Sequence, residues 1–402
     1  MGARTTYKLG EIAECSLGKM LDQKKNKGKP NVYLGNVAVR WGSFNVDSSQ
    51  IMLFEDDELP KYQALKGDII MCEGGEPGRC AIWKEDYPIC LQKALHRIRV
   101  NEKLAYPYYI YYYLTSLVQS GAVEPFFTGS TIKHLPRERL ISLEISLPSL
   151  EEQKRLADIL CALEEKIAIN KRINHNLEEQ ARALYQSWFV DFEPYKNGIF
   201  VDSELGPIPY GWEIIQLNQI VEYQKKTVNP QKSPDTWFVH YSLPAFDNSK
   251  EPEIQRGSDI MSNKFILEGK TVLFSKLNPR IKRIWLIEET TPNSVCSTEF
   301  ISYKAKDAAI HPFVWCYLNG DSFYDKVMSE VNGATGSHQR FHADDTLDYL
   351  IPFNLDTAIS LSEHVAPLLQ SIIKNEKENR VLKNKRDTLL PKLMNGELKL
   401  TC

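Results

Sequence analysis

The sequence predicts a mixed α/β fold built by internal duplication: two globular α/β domains, each followed by one long helix, with the two helices forming a coiled coil. Three observations predict it. Landmarks of the first half recur in the second half in the same order. Both halves carry short β-like runs alternating with turns, the pattern of a mixed sheet domain. Both then end in a segment whose apolar residues repeat at spacings of four and three, the mark of a helical seam.

The repeat comes first. YKLGEIAE (7–14) matches IQLNQIVE (215–222) at an offset of 208, and LKGDIIM (65–71) matches LEGKTVL (267–273) at 202. Pro77 and Ile82-Trp83 match Pro279 and Ile284-Trp285, also at 202. TGSTIKH (128–134) sits over TGSHQRF (335–341) at 207. Loops that changed length between conserved elements explain such small differences in offset. The β-like runs are DIIMC, AIW and HRIRV, then TVLF, IWLI and EFISY. The boundaries that follow are a first domain over 1–150, a helix over 151–192, a turn-rich linker over 193–212 holding Pro194, Pro207 and Pro209, a second domain over 213–355, a second helix over 356–395 and a tail over 396–402.

The helices are justified by their seams. Leu156, Leu160, Leu163, Ile167, Asn170, Asn174, Leu177, Ala181, Leu184 and Trp188 keep a strict four-three spacing. Leu361, Val365, Leu368, Ile372, Asn375, Asn379, Leu382, Arg386, Leu389 and Leu393 repeat it, each 205 residues further on. A helix packed only on its own domain would show a wider stripe of period 3.6. Two asparagines interrupt each seam, and a buried asparagine fixes register because its amide is satisfied only opposite another polar group. Antiparallel pairing sets Asn170 against Asn379 and Asn174 against Asn375. Parallel pairing sets Asn170 against Asn375 and Asn174 against Asn379, so the amides alone leave direction open. Chain connection favours the antiparallel arrangement, since a domain between the helices can return the chain to where the first helix ended.

Composition narrows the function classes. The chain has 402 residues, 43% apolar and 25% charged, within the range of globular proteins. No apolar run reaches the ~18–20 residues of a membrane span. The N-terminal MGARTTYKLGEIAEC holds no apolar export segment, so a cytoplasmic location is expected. The eight cysteines form no CxxC pair and no metal-like spacing, and read as small buried hydrophobes. A net charge of −3 gives no general attraction to nucleic acid; residues 1–150 carry +2 and 196–355 carry −4. DNA binding would need local patches or a partner's charge. No P-loop, paired-carboxylate nuclease pattern or Gly-rich cofactor loop is visible. Asp191-Phe192-Glu193-Pro194-Tyr195 departs from the acidic-Pro-Pro-aromatic motif of adenine methyltransferases by an intervening glutamate. No catalytic residue and no metal site is expected.

Several motifs together resemble a known family, the DNA-specificity subunits of type I restriction–modification systems. They are CEGGEPGRCAIW (72–83), QKALHRIRV (92–100), TGSTIKHL (128–135), LPSLEEQKRLADIL (147–160), ALYQSWFVDFEP (183–194) and LLPKLMNGEL (389–398). The resemblance implies two target recognition domains joined by two long helices that pair antiparallel. It implies that each domain reads one half of a split, asymmetric site on double-stranded DNA while the helices set the unspecified spacer. A helix of ~40 residues is ~60 Å long, enough to carry two readers about one DNA turn, ~34 Å, apart. It further implies a non-catalytic subunit that binds no cofactor. Two methylation subunits would hold S-adenosylmethionine, and motor-nuclease subunits would use ATP and Mg. Alternatives are a related system whose partner fuses methyltransferase and nuclease, and a coiled-coil scaffold with no DNA role.

Candidate contact residues lie where the halves diverge. In CEGGEPGRCAIW, Gly75 lets backbone approach a ligand and Arg79 can reach phosphate or guanine. The facing FSKLNPRIKRIW (274–285) offers Lys276, Arg280 and Lys282 instead. Solvated turn charges are the plain alternative for both. In TGSTIKH, Ser130 suits a phosphate and Lys133 and His134 could reach bases; Ser337, Gln339 and Arg340 are the counterparts. Lys24 and Lys25, in a lysine-rich loop, are either backbone contacts or solvated. YPYYIYYYL (106–114) reads as a core-packing helix rather than a stacking platform, because its twin HPFVWCYL (311–318) keeps the apolar character without the tyrosines. Trp188, Phe189 and Phe192 read either as a partner-subunit surface or as packing on the linker.

Overall fold

Strand-forming runs in each half pair with partners distant in sequence, and the main pairings recur in both halves, with Thr227–Val228 an added edge strand in the second. The computed structural model describes residues 4–20, 22, 26–331 and 339–398. In the first half, Ala13–Leu17, Leu95–Val100, Ile69–Cys72 and Cys80–Ile82 form one antiparallel sheet in that order. In the second, Val221–Tyr223, Phe300–Ala305, Thr271–Ser275 and Ile284–Ile287 form its counterpart. Each half adds a second sheet with one parallel pair inside it. That pair is Ile89–Leu91 on Lys29–Leu34, then Ser294–Ser297 on Trp237–Tyr241. A short ladder then ties each domain's entry to its exit: Thr5–Lys8 with Glu144–Leu147, and Glu213–Gln216 with Leu350–Phe353. The same topology at matched positions is what duplication predicts.

The central strands are buried on both faces because both faces are covered. Leu95–Val100 is buried along nearly its whole length. Its two interior polar residues each find partners: the His96 ring meets the Leu135 carbonyl at 2.8 Å, and Arg97 pairs with Glu14 and donates to the Pro60 and Gln63 carbonyls. The tyrosine run forms the helix Pro107–Gln119, with Tyr109, Tyr111 and Tyr112 in the core. Its counterpart is His311–Asn319. Both are packing helices, as the sequence comparison predicts. Cys15, Cys72, Cys80, Cys90, Cys296 and Cys316 are buried as small core residues. No described helix is long and apolar enough to cross a membrane.

The long helices run Leu150–Tyr185 and Leu355–Met394. Ser149 caps the first by accepting from the Glu152 amide, and Asn354 caps the second by accepting from the Thr357 amide at 3.0 Å. Gln153 of the LPSLEEQ motif is buried for a reason. Its amide takes the Tyr106 N–H at 2.9 Å, at the start of the tyrosine helix, and donates to the Pro148 carbonyl. The first helix closes in a π turn over Gln186–Val190.

By compactness the chain divides into Met1–Ile169 with Glu378–Cys402, and Asn170–Lys377. The division runs through both long helices instead of before them, so each unit owns one half of each helix. In the first unit, Leu156, Ala157 and Leu160 share a core with Leu390, Leu393 and Met394. Glu164 lies 3.7 Å from Arg386, and Lys166 lies 3.5 Å from Glu378. In the second unit, Ala181 and Tyr185 share a core with Leu361 and Val365. In both units residue numbers rise along one helix as they fall along the other: the pairing is antiparallel.

The asparagines settle direction in the second unit. Asn375 donates its amide to the Asn174 side-chain oxygen at 2.8 Å, and Asn174 donates to the Ile372 carbonyl at 3.3 Å. That is the antiparallel match; the parallel one would have set Asn174 against Asn379. Asn170 and Asn174 are both buried. Replacing Asn174 with Leu strands the Asn375 amide beside apolar surface, at a cost of ~1–3 kcal/mol in unfolding free energy. The double variant Asn174→Leu, Asn375→Leu should recover much of that loss in a denaturant double-mutant cycle. Additive losses would show that the two amides are not coupled.

Candidate nucleic-acid interface

In each unit a surface turn leaves the central sheet and meets a second loop from the end of the domain. In the first unit the turn is 73–79. Its geometry requires Gly75, whose φ is +74° and whose absent Cβ would lie 2.6 Å from the Asn36 side-chain nitrogen. In the second unit the turn is 276–283, and Asn278 stands at the same place with φ +49°. Asparagine is among the few non-glycine residues that tolerate this region. The turns are held alike: the Glu73 amide donates to the Ala94 carbonyl, and the Lys276 amide donates to the Glu299 carbonyl. These bonds make Glu73 equivalent to Lys276, and Ala94 equivalent to Glu299.

The second loop docks by backbone. Thr128 and His134 exchange two 2.8 Å hydrogen bonds that close the TGSTIKH hairpin, and His134 bridges to Gly74. Arg340 bridges to Leu277, and the Asn278 amide donates to the Gln339 carbonyl. The residues that follow, Leu135 and Phe341, are both buried. His134 and Arg340 are therefore structural equivalents, at an offset of 206. Aligning TGSTIKH with TGSHQRF places Arg340 over Lys133 instead; the structure shifts that match by one residue.

The candidate residues divide by surroundings. Gly75, Ser130, Lys133 and His134 are exposed and gather on the first unit's turn and hairpin, with Lys133 5.9 Å from the Phe127 ring. Arg280 and Arg340 are exposed on the second, and Lys276 and Gln339 are half-buried beside them. Lys24, Lys25 and Ser337 lie outside the described residues. Arg79 is not free: it donates to Glu76 at 2.7 Å and to the Asn36 carbonyl at 3.1 Å, bracing the turn from behind. Lys282 turns inward, donating to the Asn319 carbonyl and lying 5.6 Å from the Tyr324 ring. Burial, with Arg182 nearby, pushes its ammonium down to about 8. Both side chains serve the frame rather than the surface.

The aromatic cluster resolves toward packing. Phe189 is buried against Tyr185, Trp212 and Phe313, with ring centres 4.7 to 5.6 Å apart. Phe192 meets Trp212 edge-on, and Trp188 meets His364. Phe189 presents no surface to a partner. Trp212, at the end of the linker, was the sequence signal for this packing. Residues missed by sequence reasoning are Asn36 and Glu76, which shape the first turn, and Glu299 in the second. The change from Ala94 to Glu299 just before matched strands was the available cue.

In the second unit, Tyr223, Lys225, Lys276, Arg340, Phe341 and His342 line an open cleft of ≈ 510 Å³, with Ala343 and Asp344. Lys225 pairs with Asp344, and both Arg340 donors on its Nε side pair with Glu299. The cleft can receive an anionic or acceptor-rich ligand.

Two copies of one frame, each offering a turn and a docked loop of different side-chain chemistry, define an internally duplicated protein. Residues 4–179 match the family model described as the type I restriction modification DNA specificity domain. The MjaIX type I specificity subunit of Methanocaldococcus jannaschii is 29% identical over 353 residues, covering 83% of this chain and 78% of the relative. The HindI specificity subunit of Haemophilus influenzae is 22% identical over 340 residues, covering 67% and 72%. The crystal structure of a type I restriction-modification S subunit from M. genitalium superposes with a TM-score of 0.55 at 18% identity, covering 99% of this chain and 97% of that one. Residues 4–179 thus resemble the DNA specificity domain of type I systems, and the chain is similar along most of its length to type I specificity subunits.

Lys282 supplies a stability test. Its folded value lies below the ordinary 10.5, so between about 8 and 10.5 the unfolded chain holds more protons. Stability contributed at this site therefore rises as pH rises through that window. Urea midpoints of wild type should gain on those of Lys282→Met between pH 8 and pH 10. A constant gap would return Lys282 to solvent.

Proposed function

We propose that this chain is the sequence-reading subunit of a type I restriction–modification complex and that each unit reads one half of a split, asymmetric DNA site. The observation that carries this is the doubled frame. A matching backbone bridge joins turn and loop in both units, while His134 and Arg340, Ala94 and Glu299, and Gly75 and Asn278 differ. A frame held by backbone leaves the side chains free to encode unlike half-sites. Gly75, Ser130, Lys133 and His134 are the proposed contacts of the first unit. Lys276, Arg280, Gln339 and Arg340 are those of the second. The two long helices would set the spacer.

The partners in this reading are double-stranded DNA, two methylation subunits carrying S-adenosylmethionine, and motor-nuclease subunits using ATP and Mg, all in the cytoplasm. The net charge of −3 supports dependence on a partner for tight DNA binding. The domain division proposed from sequence, with the first reader over 1–150 and the second over 213–355, sets the test. Replacing 1–150 with the matching domain of a relative should change one half of the methylated site and leave the other half and the spacer intact. Mapping modified adenines in a host expressing the hybrid with its methylation subunit reads the outcome. A change in both halves would mean that the units do not read separately.

A further inference from the structure

Arg340 is anchored at its backbone by the bridge to Leu277 and by buried Phe341, the next residue. Its side chain is fixed as well. Nε donates to one Glu299 oxygen at 3.1 Å and Nη2 to the other at 3.0 Å. Glu299 is itself held: its carbonyl takes the Lys276 amide, its amide donates to the Ser297 hydroxyl, and the buried strand Phe300–Ala305 begins at the next residue. A guanidinium carries five N–H groups in one plane. Glu299 occupies the Nε edge. The other edge, Nη1 with the second hydrogen of Nη2, takes no partner among the described residues, and Arg340 lines the open cleft.

That remaining edge is a pair of parallel donors. Guanine presents two acceptors, N7 and O6, in the major groove, whereas adenine presents one acceptor and one donor. A guanidinium has no acceptor to offer the adenine amino group. We propose that Glu299 is a positioning residue for base recognition: it clamps the Nε edge of Arg340 so that the opposite edge meets N7 and O6 of a guanine in the half-site of the second unit. The inference rests on the reading of this loop as a DNA contact. The first unit has no such device, since Ala94 and His134 stand at the two positions.

Two consequences separate this role from a structural one. An exposed ion pair contributes little to fold stability, so losing Glu299 should leave unfolding nearly unchanged. A carboxylate beside DNA also repels phosphate. Its loss should hold or raise affinity for unrelated DNA while lowering discrimination, the opposite of a folding defect. Pre-orientation matters because a long side chain otherwise loses its rotamer freedom on binding.

The test uses the full chain assembled with its methylation subunits, once modified adenines have defined the site. Duplexes carrying adenine or 7-deazaguanine at each guanine of the second unit's half-site compete for binding. Wild type should show one guanine whose replacement weakens binding by ~5- to 150-fold, the span expected for a bidentate contact. Arg340→Ala should abolish discrimination at that base pair and at no other. Glu299→Gln, similar in shape, should reduce discrimination there several-fold with unrelated DNA bound as well or better, and Glu299→Asp should recover part of it. If Arg340→Ala relaxes that base pair while Glu299→Gln discriminates like wild type, the positioning role is wrong and the DNA contact stands. If Arg340→Ala reads every base normally, or the half-site holds no guanine, the contact itself fails and the inference with it.

Discussion

The antiparallel return of the second long helix is the constraint on which the rest of the structure depends. The first unit's core is incomplete without Leu390, Leu393 and Met394, which pack with Leu156 and Leu160 from more than two hundred residues earlier. Arg4 reinforces the closure by donating to the Met394 carbonyl at 2.6 Å. Closing so long a chain costs entropy that grows only slowly with length, so apolar burial at the closing contacts can offset it. The first unit is thus completed only after the second has been synthesised. A heptad seam suits this task, because its period fixes which faces meet. Within that seam Asn375 donates to the Asn174 side-chain oxygen, which gives the buried amide a polar partner.

The frame inside each unit follows a related logic. Turn and docked loop are joined through main-chain groups: Glu73 to Ala94 and to Leu135, Lys276 to Glu299, Asn278 to Gln339. Main-chain bonds are indifferent to side-chain identity except where backbone geometry intrudes, as at Gly75 and Asn278. The frame can persist while the outward residues change. Inward residues cannot change so freely, and Leu135 and Phe341 remain apolar at equivalent positions for that reason.

Features set by periodicity were legible in the sequence. The duplication and the two seams follow from spacing, which survives in one dimension; the packing role of the tyrosine helix follows from comparing the halves, and the pairing of Asn174 with Asn375 from chain connection. Charge at a turn does not carry its own direction. Arg79 and Lys282 looked like surface cations, yet Glu76, the Asn36 carbonyl and the Asn319 carbonyl draw them back into the frame. Phe189 could be read as a docking surface or as linker packing, because Trp212, its packing partner, lies over a linker that reads as loop. The match of His134 with Arg340 was hidden by one residue of loop length, which only the bridges to Gly74 and Leu277 reveal.

The carboxylates near the proposed contacts bring these points together. Glu76 on Arg79, Glu299 on Arg340 and Asp344 on Lys225 each set a carboxylate against a cation of the two surfaces. Unpaired cations would bind any duplex through phosphate, and that affinity carries no sequence information. Paired cations give up non-specific attraction and keep directional donors in fixed orientation. On the proposed reading, a subunit that selects sites while partners supply the general grip on DNA is better served by the second arrangement. The near-neutral charge of the whole chain and the clamped geometry of Arg340 are then two expressions of one requirement, that discrimination should exceed attraction.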